Sequence, residues 1–264
     1  MLKHVVLAKI VEHLNLKPAP WSYLDTHAGV GMYDLTGEEA DKTGEWRNGV
    51  GRIRDRALGA EAEALLAPWR DAMAGVKPDA YPGSPEIVRR LARAGDRLRL
   101  CEKHPKDAEA LARNFGRDRR VKAVEIDGWT ALNAWLPPPE RRGLVLIDPP
   151  FEEPGEFGRM AERFRKALAV WPTGTYALWY PVKDPADADA LAERVTAAGV
   201  PKLVRLELLV RASGDPKLLV GSGMLVANPP WRLADEFQAA AADLAAALAQ
   251  GEGARATAKI LANA

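Results

Sequence analysis

The sequence predicts an α/β chain built on a mostly parallel, doubly wound sheet, and three observations carry that reading. Apolar runs of strand length alternate with helix-length amphipathic segments over most of the 264 residues. Four carboxylates, Asp25, Glu102, Asp127 and Asp148, each stand where one of these runs ends. A glycine-bearing loop, Asp25-Thr-His-Ala-Gly-Val-Gly31, follows the first run. In open α/β sheets ligands bind in the crevice beyond the carboxyl ends of the strands, and glycine there allows tight turns and close backbone approach.

The elements follow in order. Val5 to Leu14 has helical spacing, and Lys17-Pro-Ala-Pro20 ends it. Trp21 to Leu24 is a strand leading into the glycine loop, where Asp25, His27 and Gly29 occupy a cofactor-loop pattern. A following strand would ordinarily close on an acid roughly 20 residues later, but residues 38–80 read as helices, Glu38 to Asp55 and Ala60 to Ala74. The economical account is a helical insertion of ~40–50 residues, longer than ordinary connections. Lying beside the cofactor loop, it reads as a segment that serves the substrate and that the sheet can lose, with a packing element the core cannot lose as the near-equal alternative. Alternation then resumes: helix Glu86 to Ala94, strand Arg97 to Glu102, helix Pro105 to Phe115, strand Val121 to Ile126, helix Thr130 to Leu136 and the strand before Asp148. Helix 156–170, strand Thr175 to Tyr180 and helix 185–198 come next. Strands Leu203 to Val210 and Gly223 to Ala227 read as a closing hairpin. The alanine-rich tail, 234–264, reads as helix broken at Gly251-Glu-Gly253. No interdomain linker stands out, so residues 1–264 are read as one domain carrying the 38–80 insertion.

Composition excludes several classes. The apolar fraction of 47% suits a globular core. No apolar run approaches the ~18–20 residues that span a bilayer, and Met1-Leu2-Lys3-His4 lacks a signal-peptide pattern. Cys101 is the only cysteine, which leaves no internal disulfide and no thiolate metal cluster. The four histidines match no metal signature, so no metal is expected. A cytoplasmic protein, monomeric and without a membrane partner, is the simplest expectation. Net charge is +1, so contact with nucleic acid would need local patches such as Arg89-Arg90, Arg119-Arg120 or Arg141-Arg142.

Residues 143–151, Gly-Leu-Val-Leu-Ile-Asp-Pro-Pro-Phe, carry the chemistry. A buried strand stops at the Asp148 carboxylate. Pro149 and Pro150 stiffen the exit, and the Phe151 ring follows. A carboxylate, a fixed carbonyl and a ring can grip a planar amino group and stack on the ring that bears it. This is the Asp-Pro-Pro-aromatic pattern of enzymes that methylate the exocyclic amine of adenine with S-adenosylmethionine. Asn228-Pro-Pro-Trp231 is a rival, but it follows the last strand of the hairpin, far from the glycine loop, so the catalytic role goes to Asp148, Pro149 and Phe151. Trp179-Tyr180-Pro181 reads as core rather than site, with base stacking by its rings the open alternative.

Taken together the segments resemble one family, the large-subunit ribosomal RNA methyltransferases J. The resemblance rests on Leu2-Lys-His-Val5, Tyr23-Leu-Asp-Thr-His-Ala-Gly29, Thr43-Gly-Glu45, Tyr81-Pro-Gly-Ser-Pro85, Glu102 with His104-Pro105, Asp127-Gly128, Arg141 to Pro150, Tyr176 to Pro181, and Gly221 to Met224 with Asn228 to Trp231. It implies a Rossmann-like S-adenosylmethionine-dependent fold with a helical insertion, and N6-methylation of an adenine in 23S rRNA. It also implies cofactor contacts at Lys3, His4, His27, Ser84, Glu102 and Asp127, with Asp148 catalytic. Members carry a segment rich in Tyr, His, Gly and Asn ahead of Leu-Lys-His; here Met1 directly precedes that tripeptide. Phe151 stands where the family usually has tyrosine. Two other readings stay open: methylation of DNA adenine or a protein amide, and a non-catalytic RNA-binding factor in ribosome assembly. Cofactor titration separates the second from the first, and identifying the methylated product separates RNA from DNA and protein.

Overall fold

The computed structural model describes residues 1–37, 44–214 and 218–263. Its centre is an eight-stranded sheet. Strands β1 (Ser22–Asp25), β4 (Arg97–Glu102), β5 (Val121–Glu125), β6 (Gly143–Ile147) and β7 (Thr175–Val182) run parallel to their neighbours in the order β7-β6-β1-β4-β5. Beyond β7, β9 (Gly221–Ala227) pairs antiparallel with it, and β8 (Lys202–Leu209) pairs antiparallel with β9. The expected hairpin is therefore present, with its second strand inserted against β7. Part of its connecting loop, 215–217, lies outside the described residues.

Helices cover both faces, because β6 is apolar at every position and cannot face water. Leu144 and Leu146 join one core with α1 (Leu2–Asn15), α3 (Ala60–Met73), α4 (Ser84–Leu91), α5 (Pro105–Phe115) and α9 (Leu233–Leu248). Val145 and Ile147 join a second core with α6 (Gly128–Trp135), α7 (Glu156–Val170) and α8 (Pro185–Thr196). This alternation is the pleat of a strand buried on both sides.

Three expectations need correction. The tail after Gly253 is not helical: Arg255–Asn263 forms β10, an edge strand antiparallel to β8. Alternation over Arg255-Ala-Thr-Ala-Lys259 suits a half-covered strand, and β8 offers an unpaired edge that a helix could not satisfy. Secondly, the neck of the insertion is a two-stranded ribbon, β2 (Met32–Asp34) with β3 (Ala80–Pro82), in which Tyr33 opposes Tyr81. Strands of three residues leave no readable period. Thirdly, the long helix expected over Glu38 to Asp55 is not continuous. Residues 38–43 lie outside the described residues, and beyond them come only α2 (Glu45–Asn48) and a 3-10 turn, Val50–Arg52. Gly49 and Gly51 stop the helix there.

The insertion is not a loose appendage. Leu65, Leu66 and Trp69 of α3 are almost fully buried, and α3 packs on α1, α4 and α9. Its irregular stretch is held by guanidinium groups. Arg70 donates to the carbonyls of Ile53, Arg54 and Arg56, and Arg54 to those of Val76, Lys77, Pro78 and Ala80.

Candidate active site

Parallel strands bring their carboxyl ends to one edge, and three of the four acids gather there directly: Asp25 closes β1, Glu102 closes β4, and Asp148 follows β6. Asp127 follows β5 and caps α6, its Oδ2 accepting from Thr130 N–H and Oγ1 at 2.9 Å each.

The glycine loop and β4 form one corner of the site. Glu102 accepts the backbone N–H of Gly29 on Oε2 and that of His104 on Oε1, both at 2.9 Å. These bonds aim the carboxylate across the loop while leaving lone pairs on each oxygen. Gly29 has φ +59, the left-handed region where a side chain is strained. Gly128 lies so close to β1 that an added Cβ would stand 2.1 Å from the Thr26 carbonyl oxygen. Both positions bring backbone, not side chain, to the cradle floor. His27 is turned by Thr26 Oγ1 at 2.8 Å and meets Trp129 edge-on at 5.2 Å. Burial lowers its pKa, with Asp148, Glu102 and Asp127 opposing.

Beneath the loop lies a buried carboxylate network. Asp25 is fully buried and accepts hydrogen bonds from Tyr23 Oη and Ser84 Oγ, each at 2.7 Å. Burial pushes its pKa up to about 6, although the two hydroxyls and Lys3 oppose that rise. An acid whose pKa is higher folded than unfolded binds its proton more tightly in the native chain. The stability it contributes is full below the unfolded value near 3.8 and is lost as pH rises through about 6. The difference of about two pH units amounts to roughly 3 kcal/mol. In Asp25→Asn this loss should vanish, so the urea midpoint of the native chain should fall relative to the variant's between pH 4 and 7. Parallel profiles for the two proteins would contradict the assignment.

The second corner is built from elements remote in sequence. Lys3, at the start of α1, forms an ion pair through Nζ with Asp148 Oδ2, and Nζ lies 5.7 Å from the Trp179 ring centroid. Burial disfavours the ammonium, but Asp148 outweighs it and the Lys3 pKa is raised. Phe151 has a left-handed φ of 56. It meets Trp179 at 5.7 Å and Phe157 at 5.3 Å, both edge-to-face. Pro149 is buried and Pro150 exposed. His4 is buried, with Nδ1 2.7 Å from Tyr81 Oη; burial, then Lys3 and the N-terminal amine, hold its pKa well below the ordinary value.

Thus Asp25, Gly29, Ser84, Glu102 and His27 surround the loop, while Lys3 and Phe151 frame Asp148. Sequence reasoning placed Lys3 on the cofactor and did not foresee its pairing with Asp148. Trp179, read as core with base stacking left open, does both: it packs on the core half-buried and stands against Phe151 and Lys3. The strand's alternation held a signal, since Trp179 must face away from Tyr180. Asn228 is far from all of these. Ala227 pairs with Tyr176 near the start of β7, whereas Ile147, beside Asp148, pairs with Leu178 further along. The rival turn therefore sits at the amino edge of the sheet.

A sheet of this order, a glycine loop under an acid-tipped second strand, and Asp-Pro-Pro-Phe after the fourth make up a methyltransferase that draws its methyl group from S-adenosylmethionine. The family model described as "Ribosomal RNA large subunit methyltransferase D, RlmJ" matches residues 18–260, and the chain belongs to that family. It is 39% identical over 240 residues to "Ribosomal RNA large subunit methyltransferase J" of Haemophilus influenzae, covering 90% of this chain and 85% of that one. The protein of the same name from Escherichia coli is 40% identical over 238 residues, with the same coverage. Among solved structures, a Legionella pneumophila protein superposes with a TM-score of 0.86 at 27% identity, covering 99% of this chain and 96% of that one.

Proposed function

We propose that this methyltransferase acts on the N6 amine of an adenine in 23S rRNA, as a monomer in the cytoplasm. The observation that carries the reading is the placement of Asp148-Pro-Pro-Phe151 at the same sheet edge as the Glu102–Gly29 corner. The names of the H. influenzae and E. coli relatives supply the substrate class.

The residues fit the cofactor. Glu102 retains acceptor capacity for two ribose hydroxyls, Asp127 Oδ1 can accept from an adenine amine, and the Gly29 and Gly128 backbones leave room for close approach. Ser84, His27 and Asp25 surround the place for the amino-acid end, and His4 supports it from α1. Bound there, S-adenosylmethionine supplies an electrophilic methyl group. The target base must leave its stack, since N6 is out of reach within a helix. Phe151, braced by Trp179 and Phe157, stacks on it. The N6 lone pair is delocalised into the ring and weakly nucleophilic. Lys3 pins Asp148 Oδ2, and no described residue occupies Oδ1. That oxygen and the Pro149 carbonyl accept the two amine hydrogens and draw the nitrogen toward tetrahedral geometry. Catalysis is then positioning plus fixed charge.

Methyl transfer from labelled cofactor to protein-free 23S rRNA, followed by nucleoside analysis, tests the reading. N6-methyladenosine supports it. Label in DNA, in a protein amide or at another nucleoside overturns it, and the lack of both cofactor binding and transfer to any of these favours the assembly-factor alternative. For the cofactor site, Glu102→Ala should weaken S-adenosylhomocysteine by ~1–3 kcal/mol, because two ribose hydroxyls lose their partner. An unchanged dissociation constant in calorimetry would remove Glu102 from the site.

A further inference from the structure

The Asn228-Pro-Pro-Trp231 turn takes no part in the site, yet it is firmly built. Asn228 adopts a left-handed φ of 50, a region few non-glycine residues occupy. Its backbone N–H donates to the Lys202 carbonyl at 2.9 Å. Its side-chain amide donates to the carbonyls of Pro172 and Gly174, each at 2.8 Å, and its own carbonyl accepts from Thr175 Oγ1 at 3.0 Å. Two prolines then remove backbone freedom. What this pedestal carries is Trp231, which at 78% exposure is the most exposed large apolar side chain among the described residues. Core packing does not explain a rigid support for an indole held out in water.

Cations stand around the ring, with Asp235 and Glu236 in the first turn of α9 beside them. The Arg232 guanidinium lies 5.5 Å from the Trp231 ring centroid, and its Nε also reaches Glu236 at 3.4 Å. Lys202 begins β8 beside the end of β9, and Arg141 lies just before β6, two strands from β9; both side chains are exposed, as is Lys17 after α1. Adjacent strands are ~4.8 Å apart, so Lys202, Asn228 and Arg141 share a short arc of the amino edge. An exposed ring with cations around it is how proteins hold single-stranded nucleic acid: bases stack on the ring and phosphates lie against the charges.

We propose that the amino edge of the sheet, centred on Trp231, binds single-stranded RNA, with one base stacked on the indole and the backbone against Arg232, Lys202, Arg141 and Lys17. The partner class rests on the rRNA reading above. Asn228 stands level with Thr175 and Asp148 with Trp179, so four residues of β7 and two strand spacings, roughly 16 Å, separate the turn from Asp148, with Trp231 three residues beyond Asn228. The surface therefore holds RNA remote from the target adenine and contributes affinity, not chemistry.

The test is fluorescence anisotropy with a labelled 12-nucleotide oligouridylate, alongside steady-state methylation of protein-free 23S rRNA. Trp231→Ala should raise the oligonucleotide dissociation constant about tenfold, within the range for stacking one base. Trp231→Phe should stay within about threefold of the native protein. Arg232→Gln should reduce the salt slope by about one phosphate contact. All three should keep the native melting temperature and S-adenosylhomocysteine affinity, and Trp231→Ala should raise KM for rRNA at unchanged kcat. Equal oligonucleotide affinity of Trp231→Ala and native protein would overturn the proposal. So would self-association in sedimentation that Trp231→Ala abolishes, since that would assign the ring to a second copy of the chain. If 23S rRNA receives no methyl group while oligonucleotide binding still depends on Trp231, the surface stands and the substrate reading falls.

Discussion

Asp148→Asn should lose methyl transfer by at least a hundredfold to a thousandfold while keeping its affinity for S-adenosylhomocysteine. Removing one preorganised charged or polar partner of a reacting group costs about that much in turnover. Asparagine keeps one acceptor but presents an amide N–H where an amine hydrogen must be accepted. It is also the informative substitution for the fold. Lys3 Nζ lies on Asp148 beneath Trp179, and Asp148→Ala would leave that ammonium partly buried without a partner, which is destabilising in itself. With Asn the ammonium still finds an oxygen, so the melting temperature should change little and the lost activity can be read as chemistry. Single-turnover transfer to 23S rRNA, with calorimetry for the cofactor product, makes the measurement. Asn228→Ala is the matched comparison and should leave turnover unchanged, because Asn228 supports a turn at the opposite sheet edge. Normal turnover in Asp148→Asn together with inactive Asn228→Ala would reverse the assignment of the two motifs.

The second large effect concerns the insertion. Trp69→Ala should lower unfolding free energy by about 3–5 kcal/mol, the usual result of emptying a buried tryptophan site. That is a large share of the ~5–15 kcal/mol by which a domain is stable. Trp69 is fully buried in α3, and α3 covers α1 and α9, which in turn cover the sheet. For the same reason deletion of residues 38–80 should yield no soluble sheet, since it would bare the apolar faces of α1 and α9. That outcome is the packing alternative, and it goes against the expectation that the sheet can lose this segment. Denaturant titration of Trp69→Ala, and recovery of the deletion variant from the soluble fraction, provide the checks. A stability loss below about 1 kcal/mol, or a well-folded deletion variant, would restore the reading of an independent substrate module.

The recognisable features were those with a local period or a short local signature. Arg97–Glu102, Pro105–Phe115 and helix 156–170 have the bounds read from apolar spacing and from their glycine and proline stops. The acids at the strand ends were equally plain, because strand direction alone decides which residue reaches the ligand edge. Asp148, Glu102, Asp25 and the glycine loop are therefore brought to one edge by the sequence pattern alone. The tail of the chain was misread because alanine suits a helix intrinsically, whereas Arg255–Asn263 answers the unpaired edge of β8, a demand made some 50 residues earlier in the chain.

The amino-acid sequence by itself determined the class of fold, the family, and the acids and glycines that close the parallel strands. Each of these follows from neighbours a few residues apart. Only the tertiary structure decided that Lys3 sits on Asp148, 145 residues away, that Trp179 braces Phe151, and that two similar Pro-Pro turns lie at opposite edges. The reason is physical: an ion pair or ring contact across the sheet depends on strand order and direction, and neither leaves a period in the chain. Asp148 follows a parallel strand and Asn228 an antiparallel one, and that difference in direction places one at the edge that carries the glycine loop and the other at the opposite edge.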